Sequence, residues 1–124
     1  MTCEEFDEVI AVNLRGTWSV SRHAMRAMRE QGRGQLLQVI SGSAFVGSVG
    51  QTNYAASKAG VMGMVRSTAP LLSERGGTVN AVAPGYVYTP MVASRGMSEE
   101  RRQQRANSGL LKIEGSAWDV AEAA

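Results

Sequence analysis

The chain has 124 residues, and its 13 Lys and Arg against 11 Asp and Glu leave a net charge of +2. That length holds one domain. With 44% hydrophobic and 19% charged residues, the balance is globular and excludes a disordered tail. Acids and bases alternate, as in Arg26, Arg29, Glu30 and Arg33, and no basic run is interleaved with aromatics. A nucleic-acid partner is therefore not expected. The single cysteine, Cys3, excludes an internal disulfide framework and a cysteine-based zinc site, and fits a reducing cytoplasm. No metal is expected. The first ten residues carry four acids and no base, the opposite of a signal peptide's start. The longest stretch without charge, residues 34–57, is broken by glycines and glutamines and does not read as a membrane span.

In chain order, residues 2–31 read as one long helix. Thr2 with Glu5 forms a capping box, and Glu4, Glu5, Asp7 and Glu8 sit where the helix dipole favours anions. Phe6, Ile10, Leu14 and Trp18 recur every four residues, while Val9, Val12, Val20 and Met28 widen the apolar surface. His23, among Ser21, Arg22 and Arg26, reads as a solvated residue of the helix surface. Gly32 and Gly34 end the helix. Residues 35–40 are a nearly continuous apolar run, the signature of a parallel strand buried on both faces. The Gly- and Ser-rich stretch 41–53 reads as loop. A second helix covers about 53–72, with Pro70 expected to kink or end it. After Gly76-Gly77 comes a second strand at 78–83, closed by Pro84-Gly85. Residues 86–97 read as irregular. Ser98 with Glu99 and Glu100 opens an exposed, Arg- and Gln-rich helix, and Asp119 begins another.

Helix, strand, helix, strand predicts an α/β fold: two parallel strands joined by a right-handed crossover helix, part of a doubly wound Rossmann-type sheet. Two strands are too few for a sheet covered on both faces, so the sequence reads as part of such a fold.

The strongest chemical signal is Tyr54-Ala55-Ala56-Ser57-Lys58. Positions four apart stack on one helix face, so phenol and ammonium are neighbours. A phenol with a pKa near 10 shuttles protons poorly at neutral pH. A cation within about 4–6 Å favours its phenolate and makes a general acid/base of it. Of the 13 basic residues only Lys58 and Lys112 are lysine, so a compact point charge stands here in a chain that otherwise uses arginine.

Here the chain resembles the catalytic half of the short-chain dehydrogenase/reductase family. Four stretches carry the resemblance, in the family's order: Val12-Asn13-Leu14-Arg15-Gly16, residues 36–41, residues 50–61, and Val79-Asn80-Ala81-Val82-Ala83-Pro84-Gly85. The intervals also match, with 28 positions from Asn13 to Ser41 and 13 from Ser41 to Tyr54.

The resemblance implies an oxidoreductase that moves hydride between NAD or NADP and a small-molecule carbonyl or alcohol substrate. It makes Tyr54 the proton donor and acceptor, and Lys58 the cation that favours the phenolate and bonds the nicotinamide ribose. It makes Ser41 the hydroxyl that holds the substrate oxygen, and Asn13 the residue that kinks the long helix and anchors a relay water. Pro84, Gly85 and Thr89 match the loop against the nicotinamide, with the Val87 backbone facing the carboxamide. Ser43 rivals Ser41, because residues two apart in an extended segment share a face. The interval to Tyr54 favours Ser41. Residues 91–118 match the substrate lid, where Met91, Val92, Met97, Leu110, Leu111 and Trp118 suggest an apolar pocket. The two long helices match elements that family members pair across a subunit interface, which implies a homo-oligomer, dimer or tetramer.

Two features depart from the family. Gly77 stands where an apolar residue commonly enters the strand, which should weaken packing. No glycine-rich strand–turn–helix fingerprint for the pyrophosphate is present. In the family that loop precedes the region matched here, as the last sheet strand follows it. The chain by itself is therefore expected to supply the acid/base apparatus and the nicotinamide side of the site, without membrane or nucleic-acid contacts. A truncated, non-catalytic remnant acting as an interaction module stays open beside the enzyme.

Overall fold

The computed structural model describes residues 1–94 and 96–124. Arg95, in the stretch read as irregular, lies outside the described residues. The chain divides into two compact units, Met1–Ala83 and Pro84–Ala124.

The first unit opens with α1 (Cys3–Val9), whose capping box is formed as expected: the Thr2 hydroxyl accepts from the Glu5 N–H at 3.2 Å, and Glu5 accepts from the Thr2 N–H at 2.8 Å. The ribbon stays helical to Gln31, but not as one α-helix. Ile10–Gly16 winds as a π-helix before α2 (Thr17–Gln31) begins. The expected kink at Asn13 is thus a π segment with Asn13 at its centre. Such wide turns are rare and insert one extra residue per turn, which displaces backbone groups from the regular ladder. Gly32 closes the helix with φ 68°.

Strand β1 (Gly34–Val39) pairs in parallel with β2 (Gly77–Val82), from Gly34 opposite Gly77 to Val39 opposite Val82. Between them lie α3 (Ser43–Val46) and α4 (Thr52–Ser73), so the predicted parallel βαβ unit is present and the fold is α/β. The short helix α3 corrects the reading of 41–53 as loop throughout. Pro70 does not end α4, which continues to Ser73. Only the final turn follows Pro70, and its carbonyl still accepts from the Ser73 hydroxyl at 2.9 Å.

The core forms where α4 lies on β2. Ser57, Val61 and Leu72 are buried on one face of the helix, against Val79 of β2 and with Ile40 at the end of β1. Gly77 does not loosen this packing. A Cβ there would lie 2.7 Å from Leu72 Cγ and 2.9 Å from the Gly34 carbonyl oxygen. The space an apolar side chain would take is filled by Leu72, which is 0% exposed.

In the second unit β3 (Val87–Tyr88), α5 (Pro90–Ser94), α6 (Glu99–Ser108), β4 (Gly115–Ser116) and α7 (Ala117–Glu122) follow in order. β3 and α5 replace the irregular run expected at 86–97. Ser98 caps α6 as predicted, its hydroxyl accepting from Arg101 N–H at 3.3 Å. The last helix begins two residues before Asp119, which instead closes a capping box with Ser116. β3 pairs in parallel with β4, Val87 opposite Gly115. Among the described residues no helix is long and apolar enough to cross a membrane.

Candidate active site

The π segment packs closely on α4. A Cβ added at Gly60 would lie 2.9 Å from Leu14 Cδ1, so the glycine sets the approach of the two helices. That approach brings Asn13 to Ser57: Asn13 Nδ2 donates to Ser57 Oγ at 3.4 Å, and Ser57 Oγ donates to the Tyr54 carbonyl at 2.7 Å. The Asn13 carbonyl accepts from Thr17 Oγ1 at 2.7 Å. Ser57 is 0% exposed and links the π segment to the backbone of Tyr54. Sequence reasoning passed over it. The available signal was a serine one helical turn beyond the tyrosine, the spacing at which a hydroxyl bonds back to a carbonyl.

Tyr54 and Lys58 share one face of α4, with Lys58 Nζ 5.8 Å from the centre of the Tyr54 ring. The ammonium is anchored across the unit, donating to the Val39 carbonyl at the end of β1 at 2.8 Å. Asn53 fixes the start of this stretch: its Oδ1 accepts from the Tyr54 N–H at 2.8 Å, and its Nδ2 donates to the Glu5 carbonyl at 3.1 Å. Tyr54 is half-buried. Helix position, strand end and first helix thus converge on one phenol and one ammonium.

Ser41 follows β1 by two residues, half-buried. Its Oγ accepts from the Ser43 N–H at 3.2 Å. Ser43 is the first residue of α3, so the two serines do not lie in an extended segment and do not share a face. The Ser43 hydroxyl pairs with Ser48 Oγ at 2.8 Å. The two hydroxyls therefore differ: that of Ser43 is held by a neighbouring side chain, while that of Ser41 only accepts and keeps its proton to give. No hydrogen bond joins Ser41 to Tyr54 or Lys58 among the described residues.

The predicted cofactor-loop residues Pro84, Gly85, Val87 and Thr89 belong to the second unit. Thr89 ends the β3 segment and starts α5, its Oγ1 accepting from the Val92 N–H at 3.3 Å. The Val87 carbonyl accepts from Arg105 Nη2 at 3.4 Å. Of the apolar lid residues, Met91, Leu110, Leu111 and Trp118 are exposed, and Val92 and Met97 are half-buried. His23 is exposed.

No local pattern in the sequence marks Glu114. Its side chain is 6% exposed and meets Arg105 Nε at 3.1 Å and Arg102 Nε at 3.2 Å. The hydrogen bond to Glu114 holds the Arg102 guanidinium above its ordinary range. At the end of the same unit, bonds from the Ser116 backbone N–H and hydroxyl hold the Asp119 carboxyl below the usual aspartate range.

The family described as short chain dehydrogenase matches residues 1–100. The 3-oxoacyl-[acyl-carrier-protein] reductase FabG of Thermotoga maritima is 48% identical over 119 residues, 96% of this chain and 48% of that protein. The FabG of Aquifex aeolicus is 40% identical over 121 residues, covering 98% of this chain and 48% of its own. The (3R)-3-hydroxyacyl-CoA dehydrogenase of Mus musculus is 46% identical over 123 residues, again 98% of this chain and 47% of the relative. The chain spans about half the length of the curated relatives it matches. The matched stretch contains the Tyr54–Lys58 pair, the π segment and both strands of the parallel unit, and by that match the chain belongs to the short chain dehydrogenase family.

Proposed function

We propose that this chain carries the acid/base centre of an NAD- or NADP-dependent oxidoreductase that interconverts a carbonyl and an alcohol. Tyr54, Lys58, Ser41 and Asn13 are the residues assigned to it. The observation that carries the reading is the Tyr54–Lys58 pair on one face of α4, its ammonium tied at 2.8 Å to the Val39 carbonyl. Lys58 spends one of its three N–H groups on that carbonyl and keeps two. A phenol beside an ammonium with free donors is a donor set that fits the ribose end of a nicotinamide nucleotide. Pro84, Gly85, Val87 and Thr89 are assigned to the nicotinamide itself. No pyrophosphate contact is assigned to this chain.

When bound, the nicotinamide supplies the hydride in reduction and takes it in oxidation. In the reduction the Tyr54 hydroxyl gives its proton to the carbonyl oxygen as that oxygen gains charge. The Ser41 hydroxyl donates to the same oxygen and sets its direction. The Lys58 ammonium opposes the negative charge left on the phenol oxygen. Asn13, through Ser57, holds the backbone that carries Tyr54. In oxidation the proton moves the other way, from the alcohol to the Tyr54 oxygen.

The names of the relatives support a narrower substrate class, 3-oxoacyl and 3-hydroxyacyl groups carried on acyl carrier protein or CoA. We place the protein in the cytoplasm and expect a homo-oligomer.

Tyr54→Phe keeps the ring and removes the proton donor. NADH- or NADPH-dependent reduction of a 3-oxoacyl thioester should fall by at least ~10²-fold. Activity within a factor of two of the wild type would overturn the role of Tyr54. No turnover in any preparation that binds the nucleotide would favour the non-catalytic interaction module.

A further inference from the structure

The second unit is built around a buried carboxylate that the chemistry above does not use. Glu114 immediately precedes β4, and the Gly115 N–H after it donates to the Tyr86 carbonyl at 2.9 Å. One carboxylate oxygen accepts from Arg102 Nε at 3.2 Å, and the other lies 3.1 Å from Arg105 Nε. The second contact is an ion pair off the hydrogen-bond axis, so both of its atoms are buried without a hydrogen bond. Each guanidinium also covers a tyrosine in or just before β3: Arg102 stands 3.9 Å above the Tyr88 ring, Arg105 5.0 Å from that of Tyr86. Between those tyrosines, Arg105 Nη2 donates to the Val87 carbonyl at 3.4 Å. Arg102 Nη1 reaches outward to Glu99 at 3.2 Å.

A two-residue parallel pairing is too short to define its own register and is marginal in water. Two arginines three residues apart on one helix, each set against an aromatic face, cannot both point inward without an anion between them. Glu114 is that anion. The planar fork of Arg105 then spans from the carboxylate to the Val87 carbonyl, a bridge that a single-point ammonium cannot make.

We propose that Glu114 is a positioning residue: through Arg105 it fixes the Val87 backbone, and with Arg102 it locks α6 and the end of the lid segment onto the strand that carries the nicotinamide loop. This rests on the assignment of Val87 to that loop. Glu114 touches neither substrate nor cofactor in this account. It sets where the Val87 backbone stands.

The test uses hydrogen exchange at the Gly115 amide in the full chain, a readout that needs no cofactor and no turnover. Glu114→Gln keeps the shape and removes the charge. Exchange at Gly115 should speed up at least tenfold, while the amides of β1 and β2 keep their wild-type rates. Unchanged exchange overturns the proposal. If Glu114→Gln fails to fold, Arg105→Lys decides, because it keeps the charge beside Glu114 and loses the reach to Val87. In the cofactor-bound enzyme Arg105→Lys should raise the KM for the nicotinamide nucleotide about tenfold and leave kcat within twofold. Faster exchange in Glu114→Gln with no change in that KM in Arg105→Lys would reduce Glu114 to a merely structural pin and overturn its positioning role. Failure of the Tyr54 assignment would leave the Gly115 result standing, so the two can be told apart.

Discussion

In Met1–Ala83 the buried side chains are Ile40, Val61, Leu72 and Val79 with three polar residues, two of them hydroxyls, whereas among the described residues of Pro84–Ala124 the one buried hydrophobic residue is Ala106. The first unit has a helix laid on a parallel pair of strands, and its polar groups are placed by the packing around them. The second is held by a carboxylate between two arginines, two cation–aromatic contacts and helix caps. Apolar packing is non-directional and tolerates imprecise partners. Charge pairing is directional and fails when one partner goes. The assigned acid/base groups sit in the unit whose geometry is set by packing, and the lid matched by residues 91–118 sits in the unit whose geometry is set by charge. A site that must hold a proton donor still is well served by the first kind.

The largest effect that bears on this contrast is expected at Leu72. Leu72→Ala opens a cavity against Gly77, where no side chain can fill it, and should cost about 2–5 kcal/mol by denaturant unfolding. A loss under ~1 kcal/mol would mean that apolar packing on β2 is not what holds the first unit. Next in size is the difference between the two serines. Ser41→Ala should lower carbonyl reduction by ~10²-fold, as removing one donor to a developing oxyanion does. Ser43→Ala, which removes only the bond to Ser48, should stay within a few-fold of the wild type. The reverse order would move the role to Ser43 and undo the reading that α3 separates them.

The smallest effect concerns the caps of the second unit. The folded Asp119 carboxyl titrates below its unfolded value, so its contribution to α7 is complete above the ordinary aspartate range. It is lost as pH falls through that range to the lowered folded value. A carbon-13 carboxyl titration should show the Asp119 midpoint rising in Ser116→Ala, while the amides of the first unit stay unmoved. An unchanged midpoint would remove the cap from the list of what holds the second unit.

Most of the first unit was legible as a sequence because its signals are local. The Thr2–Glu5 box, the strand runs and the four-residue step from Tyr54 to Lys58 each follow from backbone period and neighbouring residue types. The misreadings have one cause. Pro70 was judged from its missing N–H alone, and Gly77 without knowing that Leu72 would fill its place. Ser41 and Ser43 were placed on one face of an extended segment because no local pattern marks a four-residue helix such as α3.

By itself, then, the sequence determined the α/β class, the parallel βαβ order, the family and the pair of groups assigned to the chemistry, because each is written in short-range spacing. Tertiary structure alone decided that the long helix winds through a π segment at Asn13, that Ser57 joins that segment to Tyr54, and that the Lys58 ammonium is tied to Val39. It also decided that Glu114 is buried between Arg102 and Arg105. Apart from the three-residue step from Ser57 to Tyr54, these contacts join groups 9 to 44 positions apart in the chain. Only the packing of helices and strands brings such groups within hydrogen-bonding range, and no pattern of neighbouring residues encodes that distance.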